Sequence, residues 1–71
     1  MNIIKIKDDF ITLGQFLKKA RIIDTGGQAK YFLLMSDVKN NDRKPNGRNA
    51  KVYVNDVVWV DNILYQVVKE D

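Results

Sequence analysis

Thr25-Gly26-Gly27-Gln28-Ala29-Lys30 opens a stretch with helical apolar spacing. Two glycines are a poor way to begin a helix, since each costs about 1 kcal/mol relative to alanine in a helix interior. What they offer is bare backbone. In a first helical turn the N–H groups have no intrahelical acceptor, and the helix dipole presents partial positive charge. Without side chains in the way, an anion can approach those N–H groups closely. Lys30 adds a full charge one turn on. Thr25, Gly26, Gly27, Gln28 and Lys30 therefore form a candidate phosphate grip. A structural explanation stands beside it: the glycines let this helix pass close to its predecessor at a tight junction. The two explanations are compatible. The stretch is not a nucleotide fingerprint, because it has neither G-x-G-x-x-G after a strand nor Gly-Lys-Ser/Thr.

Catalysis finds little to work with. The chain has no cysteine and no histidine, so disulfides, thiolate metal sites and the commonest general base are all excluded. Thr12, Thr25 and Ser36 are its only hydroxyl-bearing Ser/Thr residues, and none has an imidazole to activate it. Asp8-Asp9 is an adjacent carboxylate pair, and stabilisation of a following helix through its dipole would explain it. Asp56 and Asp61 read as turn residues. Lys30 as a Schiff-base lysine would need an apolar pocket, of which the sequence gives no sign. The expectation is a protein that is not an enzyme, with no catalytic residue, metal, cofactor or small-molecule substrate.

Charge points to a different kind of partner. Net charge is +3, but Lys39, Arg43, Lys44, Arg48 and Lys51 face a single acid, Asp42, within residues 39–51. Five cations against one acid give that segment +4, leaving −1 for the rest of the chain. Such asymmetry suits a polyanion, although a solvated loop would also look like this. Tyr31, next to Lys30, could stack on a base or ribose; Tyr53, Trp59 and Tyr65 fall in strands, where aromatics normally pack. No helix is rich in base-reading Arg, Asn and Gln, so duplex DNA is the weaker polyanion candidate.

The elements that must position these residues follow from periodicity. Seventy-one residues make one domain, 1–71, which buries only about 60% of its unfolded surface. Ile4 and Ile6 alternate with Lys5 and Lys7, as in a half-buried strand. From Thr12 to Ile23, Leu13, Phe16, Leu17, Ala20 and Ile23 form a helical stripe. Thr12 and Gln15 read as a capping box at its start, and Thr25 and Gln28 as a second. The second helix is expected from Thr25 to about Met35, with Ala29, Phe32 and Leu33 inward. Residues 37–51 are turn-rich, with Asn41-Asp42 able to take positive φ and Pro45-Asn46-Gly47 resembling a turn. "VYVNDVVWV" and "ILYQVV" read as strands, with Asp61-Asn62 at or beside a hairpin turn. This order implies an α+β fold with helices on one side of an antiparallel sheet. No apolar run reaches the roughly 20 residues of a membrane span, and the start lacks a signal-peptide pattern. A bacterial-type cytoplasmic location is the expectation.

"ITLGQFLKKARIIDTGGQAKYFL", followed by a basic, turn-rich hairpin and "VNDVVWV", resembles the S-four domain, the αL-motif RNA-binding domain named for the fourth small-subunit ribosomal protein. Within that family it resembles the short stand-alone proteins of the YaaA-like type. The resemblance covers about Ile11 to Val60. It implies two short packed helices against a small antiparallel sheet, and binding of structured RNA (rRNA or tRNA-like), with the ribosome or a ribosomal subunit as partner. By position it implies contacts from Gln15 and Lys18 or Lys19, from Thr25, Gly26, Gln28 and Lys30, and from Asn41, Arg43, Arg48 and Lys51. The chain departs from the family in a hairpin less dense in arginine, where Arg48 and Lys51 remain beside Arg43 and Lys44, and in three short motifs. Thr25-Gly26 replaces the usual Ser-Arg, Asn40-Asn41-Asp42 the Val-Asn-Gly turn, and Val54-Asn55-Asp56 the Pro-Gly-Asp before the closing strand. The expected function is thus a non-catalytic module that holds RNA by shape and phosphate backbone. The competing expectation is a protein-interaction adaptor, associated with the ribosome or replication. It would use a strand edge such as Ile3–Lys7 or Leu64–Val68, or the face around Tyr31 and Leu34.

Overall fold

The computed structural model describes residues 2–71. Its elements run β1 (Asn2–Ile6), β2 (Phe10–Thr12), α1 (Leu13–Lys19), α2 (Gly26–Met35), β3 (Val38–Asn40), β4 (Lys51–Tyr53), β5 (Val57–Val60) and β6 (Ile63–Lys69). Four strands form one sheet in the order β1-β6-β5-β3, while β2 and β4 pair separately. The fold is α+β. Strands β3, β5 and β6 pair antiparallel as expected, but β1 joins β6 in parallel, with Ile4 opposite Val67. That register sets Ile4 beside the buried Val67, while Ile6 lies opposite Lys69. Glu70 N–H also donates to the Ile6 carbonyl at 2.7 Å, which extends the β1–β6 pairing past the end of β6.

β6 therefore lies between β1 and β5. The edge expected at Leu64–Val68 is paired on both sides, and the open edges of this sheet belong to β1 and β3. "VYVNDVVWV" is not one strand either. Asn55 takes φ 76°, and Asp56 N–H donates to the Tyr53 carbonyl at 2.9 Å, so the chain turns between β4 and β5. Residue β2 to α1 continuity also removes the proposed reason for Asp8-Asp9. With β2 intervening, these acids lie in the bend after β1, and Asp9 meets Lys69 at 3.0 Å.

Leu13, Phe16 and Leu17 of α1 are fully buried against Ile6, Val52, Val58 and Val67, and Ala29 of α2 completes the contact. Tyr65 packs edge-on against Phe16, with ring centroids 5.5 Å apart. Both capping-box arms form at α1: Gln15 N–H donates to the Thr12 hydroxyl at 3.2 Å, and Thr12 N–H to Gln15 Oε1 at 2.9 Å. At α2, Gln28 Oε1 accepts from Asp24 N–H at 2.6 Å and Thr25 N–H at 3.1 Å.

α1 ends at Lys19, four residues before the apolar stripe does. The cause is a left-handed residue, Arg21, at φ 60°. Arg21 N–H donates to Lys18 O at 3.0 Å, and Ile22 N–H to Leu17 O at 3.0 Å, a Schellman closure in which glycine is the usual occupant. Ile23 still reaches the core, at 7% exposure, but from the loop. A non-glycine residue there costs about 1 kcal/mol or more. Arg21→Gly is accordingly expected to stabilise the domain by about that amount, raising Tm by roughly 4–8 °C in calorimetry; an unchanged or lower Tm would contradict this account of the helix stop.

Candidate nucleic-acid interface

The candidate interface is built from the loop that follows β3. Asn41 (φ 52°) and Asp42 (φ 68°) form the expected tight turn, closed by Asn40 N–H to Arg43 O at 2.8 Å and Arg43 N–H to Asn40 O at 3.0 Å. The Asn41 side chain locks it. Its Nδ2 donates to Asp56 Oδ1 at 2.9 Å, and its Oδ1 accepts from Val57 N–H at 2.9 Å. The chain then returns past α1, where Leu13 N–H donates to Ala50 O at 2.8 Å and Gly14 N–H to Arg48 O at 2.9 Å. The turn in this part of the loop is Gly47–Ala50, closed at 3.1 Å, rather than one centred on Pro45-Asn46-Gly47.

These bonds consume the free N–H groups of α1 and fix Arg48 beside α2. From there its guanidinium donates to the Gly26 carbonyl at 3.2 Å. Packing contact falls at Gly14 instead: a Cβ added there would sit in ordinary van der Waals contact, 3.5 Å from Arg48 O, 3.6 Å from Arg48 Cβ and 3.8 Å from Ala29 Cβ. Sequence reasoning passed over this glycine, whose signal was its place on the buried face of α1.

Gly26 and Gly27 behave differently. A Cβ on Gly26 would meet nothing within 4 Å, and one on Gly27 only the Thr25 hydroxyl at 3.9 Å. The expectation that they ease helix packing is therefore not met. Among the described residues, no acceptor within the protein takes their N–H groups. The end turns of α2 also lack charges that would complement its dipole. α2 has no acid in its first turn and no base in its last, although acids at the N-terminus are the stabilising arrangement. α1, by contrast, has Lys18 and Lys19 in its last turn, where the dipole favours them.

Two depressions meet at this helix end. The smaller, of about 190 Å³, is lined by Thr12, Gly14, Gln15, Lys18, Gly26, Arg48 and Asn49. The larger, of about 630 Å³, lies between α2 and the 44–48 loop and includes Gly27, Lys30, Lys44 and Arg48. No carboxylate lines either one. Of the residues singled out in the sequence, Gln15, Lys18, Gly26, Gly27, Lys30, Lys44 and Arg48 are thus brought to one surface. Lys19, Thr25, Gln28, Asn41, Arg43 and Lys51 line neither depression. Thr25 and Gln28 lie at the α2 cap. Arg43 closes the Asn41-Asp42 turn, and Lys51 covers the Phe10 ring at 4.8 Å. Phe10 in turn packs on Tyr53, with ring centroids 5.4 Å apart.

If Gly26 and Gly27 serve packing no better than alanine would, replacing them should stabilise the fold. Gly26→Ala and Gly27→Ala are each expected to add about 0.4–1 kcal/mol, read as a shifted urea midpoint at unchanged m. A destabilised variant would show that the glycines are structural after all.

Among the described residues there is no group of three or more acids placed to hold a metal ion, and no helix is long and apolar enough to cross a membrane. A small helix pair on a mixed sheet, with basic loop residues gathered at the second helix's N-terminus, is the arrangement of an S4 domain. The chain belongs to the S4 domain family, which it matches over residues 4–68. It is similar to a probable ribosome maturation protein, RlbA, of Bacillus subtilis (strain 168). The two are 48% identical over 68 residues, covering 94% of this chain and 96% of that protein. No solved structure matches the chain.

Proposed function

We propose that this protein is a non-catalytic RNA-binding module that recognises structured RNA by shape and phosphate spacing, acting on ribosomal RNA or a ribosomal precursor. The carrying observation is the cation-rich surface at the α2 N-terminus: two N–H groups without a protein acceptor, flanked by Lys18, Lys30, Lys44 and Arg48, and lined by no acid. An A-form helix hides its major-groove edges and displays phosphates and 2′-hydroxyls, which is what N–H groups and lysines can read. The S4 family and the name of the Bacillus relative support an RNA- or ribosome-related role.

The test is an NMR titration of labelled protein with an RNA hairpin at two salt concentrations, with equal-length duplex DNA as control. Shifts at Gly26, Gly27, Lys30 and residues 43–51, stronger with RNA and weakened by salt, are the expected result. For roughly four neutralised phosphates, log K should fall with log salt at a slope near −3. No shifts at low salt with several RNA shapes would overturn the proposal.

The open β1 edge, with Ile3 49% exposed, favours a second reading as a protein-interaction adaptor that accepts an added strand. Lys5 on that strand is the kind of charge that discourages indiscriminate pairing. A protein complex of this type would weaken far less steeply with salt than a phosphate contact.

A further inference from the structure

The groove between α2 and the 44–48 loop is more apolar than a phosphate channel requires. Tyr31 is 68% exposed and Leu34 75%, and with Leu33 and Pro45 they line the groove that Lys30, Lys44 and Arg48 also border. The ligand this combination suits is a flat ring that arrives attached to phosphate. A base within a continuous A-form helix keeps its faces in the stack, so only an unpaired base can offer one to a side chain. Gly27 and Tyr31 are one helical turn apart, about 6 Å along the axis, and Arg48 lines both this groove and the smaller depression at Gly26. A phosphate held at the helix end thus leaves its nucleotide, or the next, beside the tyrosine ring. A second copy of the chain is a poor occupant, because it would bring the same cations face to face.

We infer that this groove takes one unpaired nucleobase, stacked on Tyr31, from a structured RNA whose neighbouring phosphates lie on the α2 N-terminus. This rests on the reading of the chain as an RNA-binding module and narrows its ligand to RNA with a bulge, junction or loop. Sequence tolerance at that nucleotide follows, since stacking uses a face that every base has.

The test compares three RNAs by fluorescence anisotropy: a hairpin with a one-nucleotide bulge, the same hairpin with an abasic bulge, and its fully paired counterpart. The intact protein is expected to bind the bulged RNA about tenfold more tightly than the abasic one. Tyr31→Phe should keep that preference, and Tyr31→Ala should reduce it to less than about twofold. Far-UV circular dichroism confirms that each variant is folded. Salt-sensitive binding with equal affinity for bulged and abasic RNA overturns this inference alone, and would leave the groove to a protein segment. A Tyr31→Ala variant that keeps the full preference also overturns it. No binding to any of the three RNAs overturns both this inference and the RNA-binding function.

Discussion

Lys30→Glu combined with Arg48→Glu is expected to lower affinity for a structured RNA by about 10²-fold. Each cation removes one charge-assisted contact of about 1.5 kcal/mol or more, and the opposite charge then repels the phosphate it used to hold. The salt slope should flatten by about one unit for each lost phosphate contact. What makes the pair informative is its effect on the fold. Both side chains are exposed; the Arg48 backbone carbonyl, which accepts from Gly14 N–H at 2.9 Å, is kept, and the bond lost is that of the guanidinium to the Gly26 carbonyl at 3.2 Å. A glutamate facing the positive end of α2 would gain about 0.3–1 kcal/mol from the dipole. That gain offsets the lost bond to the Gly26 carbonyl, so Tm should change little while RNA binding collapses. A variant that binds RNA within threefold of the parent, measured by anisotropy at low salt, would remove this surface from the interface. The glycine variants extend the same logic: alanine at 26 or 27 should stabilise the protein, and if the bare N–H groups hold a phosphate, it should also weaken binding.

How much of this was legible before the structure depends on which signals are local. The two helices, their caps and the Asn41-Asp42 turn could be read because each rests on a few neighbouring residues: Thr12 with Gln15, Thr25 with Gln28, and two side chains tolerant of positive φ. The end of α1 could not, because the left-handed position went to Arg21 rather than glycine, and nothing in "KKARII" marks it. The break at Asn55 was signalled by Asp56, a turn residue, although the apolar residues on both sides also read as strand. The parallel pairing of β1 with β6 joins residues more than sixty positions apart, beyond any periodicity argument. Within the site, the charge cluster was visible, but its sorting was not. Lys44 and Arg48 reach the α2 groove because the 48–50 backbone is bonded to the start of α1. Lys51, three residues further on, lies over Phe10 in the small sheet instead.

Asn41 shows why that sorting matters, and Asn41→Ala is expected to cost about 3 kcal/mol. Two side-chain hydrogen bonds, to Asp56 Oδ1 and from Val57 N–H, are both 2.9 Å long and contribute about 1 kcal/mol each. The remainder comes from forcing alanine to φ 52°, at about 1–2 kcal/mol. For a domain of this size the Tm should fall by roughly 10–20 °C. Asn41→Gly separates the two contributions, since it loses the same hydrogen bonds but adopts positive φ freely. It should cost only about 2 kcal/mol, and a glycine variant as unstable as the alanine one would refute the backbone share. The network also reaches further than one turn. Asp56 accepts from Tyr53 N–H at 2.8 Å as well as from Asn41, so the clasp joins the β3 turn to the β4–β5 turn, and through β4 to the loop that carries Arg48. Asn41→Gly is therefore the variant with which to weigh the RNA contact that family resemblance implies here. An affinity and salt slope equal to the parent's, measured well below the lowered Tm, would make Asn41 a support of the interface. A weaker affinity at unchanged NMR shifts around Arg48 would make it a direct contact.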